Sequence, residues 1–222
     1  MVRSPDVTIR PASDRSILVT FGDEISPAMH RQVLQLTRIL HSTRGILNLH
    51  PAFSTVLIDF DPRLRTHAEI ESLVLERWAA SSHEPSGEPR IVEIPVRYGG
   101  EFGPDLDDVA RHNSLPPERV VERHSSADYL VYFVGFSTCF PYLGGLPAEL
   151  ATPRLSAPRK LVPAGSIGIA GAQAGVYPLA SPGGWRLIGR TALRLFDIHA
   201  EPPALLRMGD HVRFVRDAES PL

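Results

Sequence analysis

The chain of 222 residues is long enough for one large domain or two small ones, each with its own core. With 43% hydrophobic residues, 22% charged residues and a formal net charge of −2, it lacks the basic stripe expected of a protein that binds nucleic acid or a membrane surface. The single cysteine, Cys139, cannot form an internal disulfide, and no apolar run reaches the roughly 20 residues of a membrane span. Together these observations predict a cytoplasmic protein without a nucleic-acid or membrane partner.

The first eighty residues predict the order strand, strand, helix, strand, strand, helix. Ser26 is a candidate N-cap for the first helix, and Thr66 with Glu69 has the spacing of a capping box before the second. Alternating or continuous apolar runs predict strands over residues 7–10, 17–21, 46–50 and 55–60. This order favours a two-layer α/β sandwich, and we predict a ferredoxin-like domain over residues 1–80.

A polar, proline- and glycine-containing segment, residues 81–89, is predicted to link this domain to a second one over residues 90–222. The second domain opens with a strand over residues 91–96. A cluster of aspartates at Asp105, Asp107 and Asp108 is typical of a helix N-terminus, where negative charge meets the helix dipole favourably. Another helix is expected over residues 117–124, followed by a strong strand over 129–134.

From Gly135 to Arg190 the pattern changes, because this segment holds more than half of the 17 glycines. Its prolines and glycines exclude long helices and favour short strands joined by tight turns. We predict strands over residues 166–170, 176–179 and 185–188, and a closing strand over 211–215. Many short strands suit a closed barrel better than an open sheet, so the fold class is predicted as α+β with a C-terminal β-barrel.

Several catalytic motifs are missing from the sequence. Gly165 to Gly171 has the glycines of a phosphate loop but no following Lys-Ser/Thr, and no histidine or cysteine pair has the spacing of a zinc site. No metal ligand and no catalytic residue is therefore assigned. Cys139 could act as a nucleophile only beside a base, for which His124 is the candidate nearest in sequence, and a partly buried structural thiol is the favoured interpretation.

The polar residues set among the glycines point to a ligand-binding surface. Glycine backbone lets a ligand approach closely, and arginine suits bidentate recognition of a carboxylate or phosphate. Besides Arg154 and Lys160, the candidate substrate-binding residues here are Arg159, Gln173, Tyr177, Ser181, Trp185 and Arg190.

The same segment resembles a known family. The resemblance rests on residues 134–146, 151–154, 158–159, 162–171, 173–178, 181–185 and 187–191, together with 98–106 and 209–210. These segments are similar to those of the B subunit of bacterial 5-oxoprolinase, a family also called KipI or allophanate hydrolase subunit 1.

The resemblance implies a ferredoxin-like N-terminal domain and a cyclophilin-like C-terminal barrel. It also implies two partners, the family's C and A subunits, and ATP-dependent hydrolysis of 5-oxoproline, a small carboxylate with a lactam ring, to glutamate. ATP and Mg²⁺ would be held by the complex, and this chain would be inactive alone. His124, Arg159, Gln173 and Tyr177 are expected to line a site shared with the C subunit.

Two alternatives remain open at this point. The chain could be a KipI-like inhibitor that binds a sporulation histidine kinase, or a component of urea or allophanate hydrolysis. The sequence also departs from the family pattern, because Thr138 and Cys139 stand where the family has Pro-Gly, and Ala174 replaces a threonine. Loss of the glycine predicts a reshaped loop, since a side chain disfavours positive φ.

Overall fold

The computed structural model describes residues 2–4, 7–81 and 90–218. The chain divides into two compact units, the first reaching residue 81 of the described chain and the second beginning at residue 90. Apart from Ser81, the predicted linker lies outside the described residues. None of the described helices is long and apolar enough to cross a membrane.

The first unit contains one sheet and two helices. Its elements are β1 (Val2–Ser4), β2 (Val7–Ser13), β3 (Ser16–Thr20), α1 (Pro27–Leu40), β4 (Ile46–Pro51), β5 (Thr55–Phe60) and α2 (His67–Ala79). The sheet has the strand order β1-β2-β3-β5-β4, and every neighbouring pair is antiparallel. Helix α1 contacts β4 and β5, while α2 contacts β3, so the helices form a second layer on the sheet.

Local sequence signals explain where these helices begin. The Ser26 hydroxyl accepts a hydrogen bond from the amide of Met29, and both hydrogen bonds of the predicted capping box between Thr66 and Glu69 are present. The ferredoxin-like prediction is not confirmed. The described elements run βββαββα along the chain, with β1 in addition to the predicted order, whereas the ferredoxin-like motif runs βαββαβ.

The second unit contains the predicted closed barrel. Its elements are β6 (Ile91–Tyr98), α3 (Leu106–His112), α4 (Pro117–Ser126), β7 (Asp128–Gly135), β8 (Phe140–Gly144), a 3₁₀ turn (Ala148–Leu150), β9 (Arg159–Val162), β10 (Ser166–Ala170), β11 (Gln173–Val176), β12 (Ser181–Gly183), β13 (Arg186–Arg190) and β14 (His211–Arg216). The barrel follows the order β10-β11-β8-β7-β14-β6-β13 and closes between β13 and β10. Strands β9 and β12 form a separate two-stranded sheet. The chain is therefore an α+β protein.

One continuous apolar core fills the barrel. Inward residues of the strands, such as Val96, Ile169 and Phe214, pack with Val109 of α3 and Val120 of α4. Helix α3 contacts β13 and α4 contacts β14, so the two helices contribute to the same core as the strands.

One strand boundary differs from the prediction over 176–179. Strand β11 ends at Val176 instead of beginning there. The reason is Pro178, which has no amide hydrogen and so cannot continue a hydrogen-bonded ladder.

Candidate functional site

A second apolar cluster lies on the outer face of the barrel. Residues of β10 alternate between the two faces, so that Ile169 belongs to the barrel core and the next residue, Ala170, to the second cluster. This outer cluster consists of Phe140, Val162, Ala170, Tyr177, Trp185 and Leu187, with half-buried Tyr142 packed against it. It brings together residues of several strands and of the segments beside them.

Aromatic rings give the outer cluster its shape. The Phe140 ring lies at its centre, with ring centroids 5.1 Å from Tyr177, 5.3 Å from Trp185 and 5.2 Å from Tyr142, all in edge-on geometry. Tyr142 also stacks on Phe133 at 4.5 Å. Such edge-on pairs add to the energy of burial and fix the rings relative to one another. The result is a rigid aromatic surface of which Tyr142 and Phe133 remain half-exposed.

Glycines in this region make room for these rings instead of for a ligand. A Cβ atom on Gly175 would lie 2.7 Å from Cζ of Phe140, and one on Gly183 would overlap the Tyr177 hydroxyl. The expectation that the glycines offer bare backbone to a ligand is therefore wrong at these two positions. Their physical role is close packing of the protein's own aromatic side chains.

An ion pair borders the outer cluster. Nη2 of Arg159 donates to Oδ1 of Asp105 at 2.6 Å, and the amide of Leu187 donates to Oδ2 of the same carboxylate at 2.7 Å. Asp105 is buried, whereas the Arg159 side chain is partly exposed. Among the described residues, Nη1 of Arg159 has no hydrogen-bond acceptor. The guanidinium is thus held on one side by Asp105, and its other terminal nitrogen, Nη1, is itself buried.

A second arginine covers the aromatic surface. The guanidinium carbon of exposed Arg154 lies 5.8 Å from the ring centroid of Trp185. Burial raises the pKa of the Tyr177 hydroxyl, while a backbone hydrogen bond from Trp185 and the charges of Arg154 and Arg159 oppose that increase. Both arginines therefore lie within electrostatic range of one tyrosine. A ligand with a carboxylate and a planar ring would find both complementary groups here.

Two further predicted residues lie at the margin of the outer cluster. Gln173 is the direct cross-strand partner of Ala170, and Ser181 pairs with Val162. The hydroxyl of Ser181 is buried and has no hydrogen-bond partner in the described part of the chain. The structure thus brings Arg159, Tyr177 and Trp185 together and places Gln173 and Ser181 beside them.

Arg190 lies elsewhere. It ends β13, three residues beyond Leu187, which corresponds to about 10 Å along a strand. There its guanidinium carbon lies 4.8 Å from the ring centroid of Phe102. The structure therefore separates Arg190 from the outer cluster.

His124 lies inside the barrel core. Its side chain is fully buried, its Nδ1 shares a 2.8 Å hydrogen bond with the hydroxyl of Tyr98, and its ring stacks on Phe214. Burial lowers the pKa of His124 to about 3, so the ring is neutral at physiological pH. In this position His124 supports the core and does not line the surface that carries Arg159.

The loop between β7 and β8 contains the predicted departure at Thr138-Cys139. Cys139 is half-buried and has φ of 62°, and burial raises the pKa of its thiol. The backbone therefore adopts the left-handed conformation that favours glycine although a side chain is present. A raised thiol pKa also disfavours the thiolate that a nucleophile requires.

Asp105 is the main residue that sequence reasoning missed. Helix α3 begins at Leu106, with Asp105 at its N-cap position and Asp107 and Asp108 in its first turn, as the aspartate cluster predicts, but the Asp105 side chain makes no capping hydrogen bond to the helix. The carboxylate turns to β13 and Arg159 instead. Asp105 lies within residues 98–106, which carry part of the family resemblance, and this could have marked it as a candidate. Nothing in those residues, however, identifies Arg159 as its partner 54 residues further along the chain.

Comparisons with known proteins agree with this architecture. Residues 7–206 match the family model described as carboxyltransferase domain, subdomain C and D. The chain is 43% identical to the 5-oxoprolinase B subunit of Bacillus subtilis, covering 95% of this chain and 93% of that protein. It is 44% identical to the 5-oxoprolinase B subunit of Escherichia coli O157:H7, covering 93% and 94%. The crystal structure of TTHA0988 superposes with a TM-score of 0.81 at 36% identity, covering 94% of this chain but only 41% of that longer one.

Proposed function

The chain belongs to the 5-oxoprolinase B-subunit family of carboxyltransferase-domain proteins, and on this premise we propose that it serves in an ATP-dependent complex that opens 5-oxoproline to glutamate. The observation that carries the proposal is the outer cluster, where Arg159 is held by a buried carboxylate beside a rigid aromatic surface. The predicted localisation in the cytoplasm is part of the same proposal.

The substrate's chemistry fits the two kinds of group at this surface. 5-Oxoproline carries a carboxylate on a five-membered lactam ring. Arg159, a partly exposed side chain whose buried Nη1 has no acceptor in the described part of the chain, supplies a positive charge for the carboxylate, and exposed Arg154 adds a second one. Tyr142 and Phe133, the two half-exposed rings, offer an aromatic surface to the lactam ring. Gln173 and Ser181 add polar groups at the margin.

Partner chains complete the proposed site. The outer cluster is a surface of one chain, and in TTHA0988 the matching region occupies less than half of a longer chain. We therefore assign the opposite wall of the site to the C subunit, make the A subunit the third component, and expect this chain to be inactive alone. A site divided between chains also explains why no complete catalytic constellation is found in the described residues.

ATP and Mg²⁺ belong to the complex in this proposal. The glycine-containing segment that resembles a phosphate loop forms the buried strand β10, and its sequence has no following Lys-Ser/Thr. Phosphorylation of the lactam oxygen by ATP would activate the stable amide bond toward water. This chain would then bind and orient the lactam while the complex supplies the nucleotide.

Reconstitution tests the proposal directly. The purified chain is mixed with its C and A partners, and glutamate release from 5-oxoproline is measured with and without ATP. We expect activity only when all three chains and ATP are present. Full activity from the two partners without this chain would refute the assignment.

A further inference from the structure

A second positively charged site lies at the end of β13, away from the outer cluster. Arg190 of β13 and Arg97 of β6 are direct cross-strand partners, so their side chains leave the sheet on the same face. Both guanidinium groups lie over the Phe102 ring, with guanidinium carbons 4.8 Å (Arg190) and 5.6 Å (Arg97) from the ring centroid. The ring therefore gathers two positive charges into one small area.

The charges at this place are not balanced within the described residues. Nε of Arg97 donates to Oδ2 of Asp217 at 3.1 Å, which accounts for one positive charge. Arg190 has neither a carboxylate partner nor a hydrogen-bond acceptor for its side chain in residues 2–4, 7–81 and 90–218, and its guanidinium rests on the Phe102 ring. Like charges on directly paired residues destabilise a sheet, and Asp217 offsets the charge of Arg97 but not that of Arg190.

The turn that carries Phe102 is rigid. The amide of Gly99 donates to the carbonyl of Ile188 at 3.1 Å, and the amide of Gly103 donates to the carbonyl of Gly99 at 2.9 Å. A Cβ atom on Gly103 would overlap the Ile188 carbonyl oxygen, so this turn packs directly on β13. Because the backbone beside Phe102 is held on β13 and both guanidiniums rest on the Phe102 ring, the two arginine side chains lose less conformational entropy when an anion binds.

We propose that Arg97, Arg190 and Phe102 form a binding site for a phosphate group, distinct from the outer cluster. A phosphate offers several acceptor oxygens and more than one negative charge, which suits two adjacent guanidiniums better than a single carboxylate does. Its negative charge would offset the repulsion between Arg97 and Arg190. Inorganic phosphate and the phosphates of a nucleotide share this chemistry.

Binding to the full chain alone tests the proposal. Isothermal titration at constant ionic strength is carried out with inorganic phosphate, ADP and adenosine. We expect saturable binding of phosphate below about 10 mM, binding of ADP through the same arginines, and no binding of adenosine. Equal affinity for phosphate and ADP would identify free phosphate as the ligand, and tighter binding of ADP would identify a nucleotide phosphate. Failure of both to bind, or binding of adenosine as tight as that of ADP, would overturn the proposal.

Matched variants locate the site. Arg190→Gln and Arg97→Gln are each expected to weaken binding by at least about tenfold, since each removes charge-assisted hydrogen bonds. Arg190→Lys keeps the charge but loses the planar fork, so a loss of several-fold is expected. Arg213→Gln, which removes an arginine paired with Asp128 on the neighbouring strand pair, should leave the affinity unchanged. Wild-type affinity in Arg190→Gln with a native circular-dichroism spectrum would contradict the proposal.

This site is independent of the proposed 5-oxoprolinase activity. Phosphate binding is measured on this chain without its partners, whereas the activity is measured on the reconstituted complex. A failure to bind phosphate would therefore not contradict the proposed activity, and a lack of activity would not contradict the phosphate site.

Discussion

At the scale of single residues, Asp105 shows how a charge on a loop can organise a surface. Its two carboxylate oxygens are divided between the Leu187 amide and the Arg159 guanidinium, so one buried group fixes both a strand and a cation. A buried carboxylate is costly unless it is paired and hydrogen-bonded, and here both conditions are met. The position of Arg159 therefore depends on Asp105 as much as on its own strand.

The carboxylate of the substrate is the group that Arg159 is proposed to bind. Arg159→Gln in the reconstituted complex is expected to lower kcat/KM for 5-oxoproline by about 100-fold, mainly through KM, since a charge-assisted hydrogen bond is lost. Inhibition by 2-pyrrolidinone, the same lactam without the carboxylate, should be unchanged. Asp105→Asn should give a smaller loss with the same pattern, because it loosens Arg159 without removing it. Equal weakening of 5-oxoproline and 2-pyrrolidinone would show that Arg159 does not bind the carboxylate.

At the scale of elements, strand β11 needs a glycine at position 175 because the rings of Phe140 and Trp185 pack directly against its backbone. Gly175→Ala is expected to lower the free energy of unfolding by about 2 kcal/mol, because the added Cβ would press on the rings of Phe140 and Trp185. Gly184→Ala is the matched control, since its Cβ would find ordinary contacts of 3.6 Å or more. Urea unfolding of both variants measures the difference. If Gly175→Ala costs no more than Gly184→Ala, the glycine is not there for packing.

The loop between β7 and β8 combines two residues with positive φ, Phe136 and Cys139. A left-handed residue with a side chain costs roughly 1–2 kcal/mol, part of which a glycine recovers. We expect Cys139→Gly to raise the free energy of unfolding by about 0.5 kcal/mol and Cys139→Val to lower it by about 1 kcal/mol, because a branched Cβ tolerates positive φ least. Thr138→Val serves as the control in a thermal melt. If Cys139→Val is more stable than Cys139→Gly, residue 139 does not keep its left-handed conformation.

At the scale of the whole molecule, the sequence predicts local structure better than relations between distant segments. Ser26 and Thr66 act on their own helices, so both helix starts could be predicted. The closed barrel could be predicted as a class, but its strand order depends on pairings between segments far apart, such as β14 with β6. The pairing of Asp105 with Arg159 is of this second kind.

The candidate site was predictable only in part for the same reason. Arg159, Tyr177 and Trp185 come together as expected, because the Gly- and Pro-rich segment folds back on itself through β9, β12 and their neighbours. Arg190 belongs to the same segment but lies at the far end of β13. A short distance in sequence does not show that two residues lie at the same end of a strand. His124 was expected at the surface, but its helix turns that side chain toward the barrel core.

The buried histidine links the barrel core to the pH dependence of the whole chain. Burial lowers the pKa of His124 to about 3 in the folded state, whereas an unfolded histidine titrates near 6.5. Below that unfolded value the unfolded chain binds the additional proton, so the stabilisation is complete above pH 6.5 and declines as the pH falls toward 3. This single group is expected to lower the free energy of unfolding by about 2 kcal/mol between pH 7.5 and pH 5.

Comparison of two histidine variants isolates that contribution. His124→Phe loses the hydrogen bond to Tyr98 and should be less stable at pH 7.5, but its stability should change less between pH 7.5 and pH 5 than that of the wild type, because the titrating ring is gone. His199→Phe, at an exposed position, should keep the wild-type slope. Urea unfolding at a series of pH values gives both slopes. Parallel curves for His124→Phe and the wild type would mean that His124 titrates normally in the folded chain, and its neutral place in the core would then be wrong.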